Sequence, residues 1–391
     1  MRFSILAIFY KGILMKIRFN SIQKLAAVTF LFSLAGLLGA CAPTTDLLGG
    51  AAGLDTQTAT TVAATTAPIE ETPPPSPTPI PPSIGQIIFV SNRDGQMSLY
   101  RSTTDGTEQI RLTNFGSEDT NPRISPDGSR VAFESTINNN MDIYVLDLIS
   151  LSITRVTDAP EKDTAPTWSP DSTQLAFESF RDGNFEIYMA NADGSNQIRL
   201  TNDPAGDNSP AWSPKTNEIA FVSNRFGNAD ILLVNLNGNI STLTTNSAPD
   251  SAPAWSPDGS MIAFKTYTDT LSDLCLIGRD GLNRRCLTTY PSDYGSPVWS
   301  PDGSKLATRA KQSNGFGINV FNITDGAVLE FSNPGIEPHG SPVWSPEGLR
   351  LAFQAQFEGD MELFMITVPT QEFSRLTSIG SYDGEPVWSQ K

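Results

Sequence analysis

One tetrad, Pro-x-Trp-Ser, constrains this chain more than any other feature, because it returns about every 44 residues. It stands at Pro166-Thr167-Trp168-Ser169 and begins again at Pro210, Pro253, Pro297, Pro342 and Pro386, with Pro122-Arg123-Ile124-Ser125 as a variant. The seven prolines lie 44, 44, 43, 44, 45 and 44 residues apart, and all six tryptophans of the 391-residue chain occupy this one slot. A period of that length marks tandem units that bury their faces against each other.

Each tetrad but the last runs into a turn such as Pro126-Asp127-Gly128, then an apolar run such as Val131-Ala132-Phe133 or Ile219-Ala220-Phe221. A loop such as Asn92-Arg93-Asp94-Gly95 follows, then Ile187-Tyr188, Asp193-Gly194 and a stretch ending Arg199-Leu200-Thr201, as the third unit spells them. Short β-prone runs punctuated by turn residues predict four antiparallel strands per unit. Four-stranded units in tandem are blades, so the fold class is all-β, a seven-bladed β-propeller. The body opens on a second strand, Ile87-Ile88-Phe89-Val90, and ends on a first strand, Pro386-Val387-Trp388-Ser389. That offset predicts that the last strand completes the first blade, which removes an open sheet edge. Seven units fill residues 86–391 and leave no room for a second domain.

Residues 1–40 read as an export signal: Lys16, Arg18 and Lys24 precede an apolar stretch from Leu25 that ends in Leu38-Gly39-Ala40-Cys41. The last four residues resemble the lipobox of bacterial lipoproteins, which implies lipidation of Cys41 as the mature N-terminus. Met15 makes a better start than Met1, since Met15 to Lys24 is a charged lead-in directly before the apolar core. Residues 41–85 read as the lipidated cysteine and a Thr/Pro-rich disordered linker, with eight prolines between Pro68 and Pro82. The run Pro73 to Pro79 predicts a semi-rigid polyproline II spacer that lifts the body, 86–391, off a membrane.

Pro-x-Trp-Ser-Pro-Asp-Gly followed by Ile-Ala-Phe and Ile-Tyr resembles the WD-like propeller repeat of the TolB family. The resemblance covers the whole body and implies a periplasmic or surface protein that binds proteins or peptides. It departs from TolB in having seven blades rather than six, and a Pro/Thr stalk in place of an N-terminal domain.

Charge and composition narrow the chemistry. A formal net charge of −16, with all five basic residues of the first 41 in an acid-free stretch, argues against nucleic acid. The single histidine removes mechanisms and metal sites that need two. No Gly-x-Ser-x-Gly nucleophile elbow is present. The expectation is therefore a protein that is not an enzyme and carries no metal or cofactor, a monomer that recognises a protein or peptide partner, another envelope lipoprotein among the candidates. The alternatives are a component of a Tol-type envelope complex and a saccharide-binding or carboxylate-based saccharide-active propeller.

Site residues follow from comparing copies. Asp119, Asp163, Asp207, Asp250 and Asp383 each stand three residues before a tetrad proline, and a feature so repeated reads as a structural turn. The same slot holds Tyr294 and His339 in the other two copies, which marks a ligand-binding rim where the channel opens. Loops on that face carry Arg93, Arg181 and Arg225 in early copies, and Tyr267, Phe316 and Phe357 in later ones, with Tyr290 in the same sector. Tyr100 and Arg111, Tyr144 and Arg155, and Tyr188 and Arg199 are each 11 apart and should face across a hairpin. Cys275 and Cys286 take that pair's place in the fifth copy, so a cross-strand disulfide is feasible.

Overall fold

The computed structural model describes residues 85–288, 290–378 and 380–389. The signal sequence, Cys41 and the Pro/Thr linker lie outside the described residues. Among the described residues twenty-eight strands form seven sheets of four, each running from an inner strand at the channel to an outer edge. The inner strands are Asp383–Ser389 in blade 1, then Asp119–Ile124, Asp163–Trp168, Asp207–Trp212, Asp250–Trp255, Val298–Trp299 and Glu337–Trp344 in blades 2 to 7. Blade 1 is built from both ends of the body: Asp383–Ser389 pairs antiparallel with Gln86–Ser91, Ile87 opposite Trp388. Among the described residues no helix is long and apolar enough to cross a membrane.

The core lies between blades, which is why the apolar pattern recurs on the second and third strands of each blade. Ala176, Ile187 and Met189 of blade 3 pack with Trp212, Ile219 and Phe221 of blade 4, and the arrangement repeats around the ring. The second-strand phenylalanines Phe89, Phe133, Phe177, Phe221, Phe264 and Phe353 are all fully buried, each stabilising the fold by about 1.5–3 kcal/mol. The tryptophan slot also ties neighbours directly. Trp168 Nε1 donates to the Arg123 carbonyl (2.9 Å), Trp255 to Ala211 (2.9 Å), Trp299 to Ala254 (3.0 Å) and Trp344 to Val298 (3.2 Å).

A bulge interrupts most inner strands just before the tetrad proline, as the register slip between Thr120 and Arg123 shows. It puts Asn121, Ala165, Ser209, Ala252 and Glu385 at φ between 51° and 55°. Several amides so turned donate to the neighbouring blade: Ala165 to Glu134 (2.7 Å), Ser209 to Glu178 (2.5 Å) and Glu385 to Gln354 (2.6 Å). Blade 1 has Val90 where its neighbours carry an acceptor, and there Glu385 of the inner strand accepts from Asn121 instead (2.6 Å).

Blades 5 to 7 differ from the rest in height. Their second and third strands, such as Met261–Thr268 and Leu271–Gly278, are eight residues long, against six in blades 1 to 4. Two-residue turns such as Glu358-Gly359, at φ 53° and 102°, let the ladder continue where the early blades break into a loop, which carries an arginine in blades 1, 3 and 4. Tyr267, Phe316 and Phe357 therefore belong to strands rather than to loops. The hairpin pairs face each other as the spacing requires, Tyr100 opposite Arg111, Tyr144 opposite Arg155 and Tyr188 opposite Arg199. In blade 5 Cys275 and Cys286 form a disulfide across the same position.

Candidate functional site

The turns after the second and fourth strands open on the same face of the ring, here the upper face, and this is where the inner-strand aspartates and the loop arginines meet. Arg93 donates from Nε to Ser91 Oγ (2.8 Å) and from Nη2 to Asp383 (2.8 Å). Arg181 repeats this with Ser179 (2.6 Å) and Asp163 (3.1 Å), and Arg225 with Ser223 (2.9 Å) and Asp207 (2.7 Å). The local cause is sequence: a serine ends the second strand and the arginine two residues later folds back over it. Each guanidinium also lies over core rings, Arg181 4.5 Å from the Tyr188 centroid and Arg93 4.8 Å from Tyr100, a stabilising cation–π arrangement. All three aspartates are fully buried, whereas the arginine side chains keep 9%, 20% and 13% of their surface. The arginines expected to face a ligand and the aspartates expected to shape turns are thus partners of each other.

Two blades meet the same need differently. Blade 2 has Ile137 at the arginine position, and Asp119 accepts from Ser135 (2.5 Å) and Ser117 (2.8 Å) while its Oδ2 stays buried without a partner. In blade 5, Asp250 takes Asn246 (3.2 Å) and the more distant Arg284 (3.8 Å). Burial pushes the Asp207 and Asp250 carboxyls above the usual carboxylate range.

The rim residues of the later blades form a linked series. Lys265 Nζ donates to the Tyr294 carbonyl (3.1 Å) and sits 5.1 Å from the Tyr267 ring. Asp293 holds Arg309 (3.1 Å), and the Arg309 guanidinium lies 4.0 Å over Phe316. Tyr294 is half-buried, edge-on to Phe321, and burial pushes its phenol up. His339 stands on its inner strand opposite Gln354, its Nε2 buried without a partner. Tyr290 is the most open of the group at 82% exposure. Phe316 lines a groove of about 440 Å³ between the tall hairpins of blades 6 and 7, with Ile336, Glu337, Gln356 and Glu358.

Sequence reasoning missed two parts of this face. Phe115 (52% exposed) and Phe226 (58%) stand on its loops, and with Tyr290 they are all the exposed aromatic side chains among the described residues. The position after the second-strand phenylalanine also escaped notice, although aligning the copies would have exposed it: Glu134 and Glu178 in blades 2 and 3, Lys265 in blade 5, Gln354 in blade 7, with Arg309 in blade 6 after Thr308. Among the described residues no group of three or more His, Cys, Asp or Glu side chains is arranged to hold a metal ion.

The TolB beta propeller domain matches residues 107–293 and 267–391, well over half of the chain. The chain belongs to that family. No curated protein matches it. Among solved structures it is similar to TolB from Acinetobacter baumannii, at 20% identity and TM-score 0.53, covering 78% of this chain and 66% of that one. It thus spans just under two thirds of that TolB. It is similar also to an oligogalacturonate lyase in complex with manganese, at 16% identity and TM-score 0.62, covering 73% and 86% of the two chains. A puromycin-hydrolyzing peptidase from Mycobacterium tuberculosis matches at 15% identity and TM-score 0.57, over 67% of this chain and 46% of that one. These likenesses establish fold, and they correct one expectation. A propeller shared with a lyase over 86% of its length is no ground for concluding that this chain is not an enzyme.

Proposed function

We propose that this TolB-family propeller is an extracytoplasmic module, anchored by lipid at Cys41, that recognises a protein or peptide partner on its upper face. The observation that carries the reading is the placement of Phe115, Phe226 and Tyr290 on that face's loops, while the exposed apolar residues of the lower turns, Ile149, Leu151 and Leu282, are aliphatic. Aromatic side chains bury large area at low entropic cost and dominate interface energetics. The groove beside Phe316 offers a concave seat next to them. The export signal and Leu38-Gly39-Ala40-Cys41 support placement in the cell envelope, on a membrane surface, and the family likeness supports a partner of protein chemistry. Cross-linking in intact envelopes would name the partner, and calorimetry would then measure it. The double variant Phe226→Ala/Tyr290→Ala is expected to weaken binding by about 1–3 kcal/mol per anchor, while Ile149→Ala on the lower face leaves it unchanged. Loss of binding in the lower-face variant alone would overturn the reading.

A further inference from the structure

Arg123 fills the variable slot of the variant Pro122-Arg123-Ile124-Ser125, the one copy in which the tetrad's tryptophan is replaced, by Ile124. Its slot holds Thr167, Ala211, Ala254, Val298, Val343 and Val387 in the other blades, all much shorter side chains. Arg123 is the long, charged one of the set, and it lines the central channel. A cavity of about 380 Å³ has Arg123 of blade 2 on one side and Pro253, Ser296 and Pro297 of blades 5 and 6 on the other. That volume falls at the low end of the range of small-ligand sites.

Among the described residues the guanidinium makes one hydrogen bond, from Nη1 to the carbonyl of its neighbour Pro122 (3.0 Å), and no carboxylate reaches ion-pairing distance. A guanidinium has five N–H donors, so most of its capacity is open. The channel's acids are differently placed. Glu134 takes the Ala165 amide and the Asn121 side chain, Glu178 takes the Ser209 amide, and Glu385 takes the Asn121 amide. These acids already accept hydrogen bonds from the inner strands, whereas most of the Arg123 donors are open. The Arg123 side chain keeps open surface toward the lumen, while desolvation by the channel walls lowers its pKa and Glu134 and Glu385 work against that shift.

We propose that the channel is a carboxylate site, in which Arg123 holds one acidic group of a small or chain-terminal ligand through paired N–H donors. A planar fork matches a carboxylate in two parallel bonds, and Glu134, Glu178 and Glu385 nearby disfavour a doubly charged phosphate. The site stands apart from the partner proposed for the upper face.

Calorimetry on the full-length protein tests it with N-acetylglycinate, a minimal chain-end carboxylate, against N-acetylglycinamide, which keeps the shape and lacks the charge. The acid is expected to bind at least tenfold more tightly than the amide. Arg123→Gln is expected to lose at least tenfold in affinity for the acid, with Arg123→Lys between the two because it keeps charge without the fork. Phe226→Ala/Tyr290→Ala is expected to bind the acid as the parent does, which separates this site from the upper-face reading. Equal affinity for acid and amide overturns the site without any variant. Undiminished binding in Arg123→Gln overturns the role of Arg123, and inorganic phosphate binding as well as the acid overturns the assignment to a carboxylate.

Discussion

At the scale of residues, the buried Asp–Arg pairs under the upper face carry asymmetric costs. Asp163 is fully buried, and Arg181 supplies every hydrogen bond shown to its carboxylate. Arg181→Ala therefore strands a buried charge, and is expected to cost about 2–4 kcal/mol, toward the low side of buried pairs because the arginine is partly exposed. Asp163→Asn leaves a guanidinium that still reaches water, Ser179 and Gln197 (2.9 Å), and is expected to cost about 1–2 kcal/mol. The double variant should cost less than the sum, since both changes remove one interaction. Urea titrations of the three proteins check this, and equal costs for the two single variants would contradict it. The tryptophans allow a finer comparison. Trp168 and Trp212 are buried alike, at 7% and 6% exposure, but Trp168 Nε1 donates to the Arg123 carbonyl whereas Trp212 Nε1 has no partner. Replacing each by phenylalanine removes similar packing, so Trp168→Phe is expected to cost about 1 kcal/mol more than Trp212→Phe.

At the scale of elements, the turn after each tetrad is held by its aspartate. Asp302 accepts from the Ser300 hydroxyl (2.6 Å) and the Ser304 amide (3.0 Å), and these bonds hold its carboxyl down at about 2. Asp171 and Asp258 are lowered by the same contacts in their own turns. A carboxyl whose pKa is depressed on folding stabilises the folded state fully above its ordinary value, and loses that contribution as pH falls through the folded value. The melting temperature of Asp302→Asn is accordingly expected to lie below the parent's at pH 5 and to converge with it near pH 2. A gap that stays constant with pH would show that charge plays no part. Turns, strand order and blade closure were legible in the sequence because a tetrad of fixed period followed by Pro-Asp-Gly sets where each hairpin reverses. The pairing of Arg181 with Asp163 was not, because it depends on how a bulged inner strand presents its first residue beside a loop. Nor were the tall hairpins of blades 5 to 7, since Thr268-Asp269-Thr270-Leu271 reads equally as loop until its two-residue turn closes. At the rim, comparing copies singled out Tyr294 and Phe316, but it could not foresee that Tyr294 leans on Phe321 while Phe316 lines the groove.

At the scale of the whole molecule, one strand decides whether seven blades make a ring. Asp383–Ser389 joins the two ends of the body through a ladder with Gln86–Ser91, and side chains reinforce it: Asp383 takes Arg93, and the Asn92 side chain accepts from the Tyr382 amide (2.9 Å). Trp388 packs with Ile87, Phe89 and Leu363, while Val387 packs with Ile88 and Val131, so this strand seals both interfaces of blade 1 at once. Removing residues 383–391 therefore takes away one strand and opens two cores, and leaves the edge of Gln86–Ser91 unpaired. Losing buried Trp388 by itself is worth about 3–5 kcal/mol. The truncated protein is expected to melt well below the parent, and a peptide of sequence 383–389, added in excess, is expected to raise its melting temperature again, because binding to the folded state alone stabilises by mass action. A scrambled peptide of the same composition should have no effect. Equal melting of truncated and parent proteins would mean that the ring is held by its other five interfaces and that closure adds nothing.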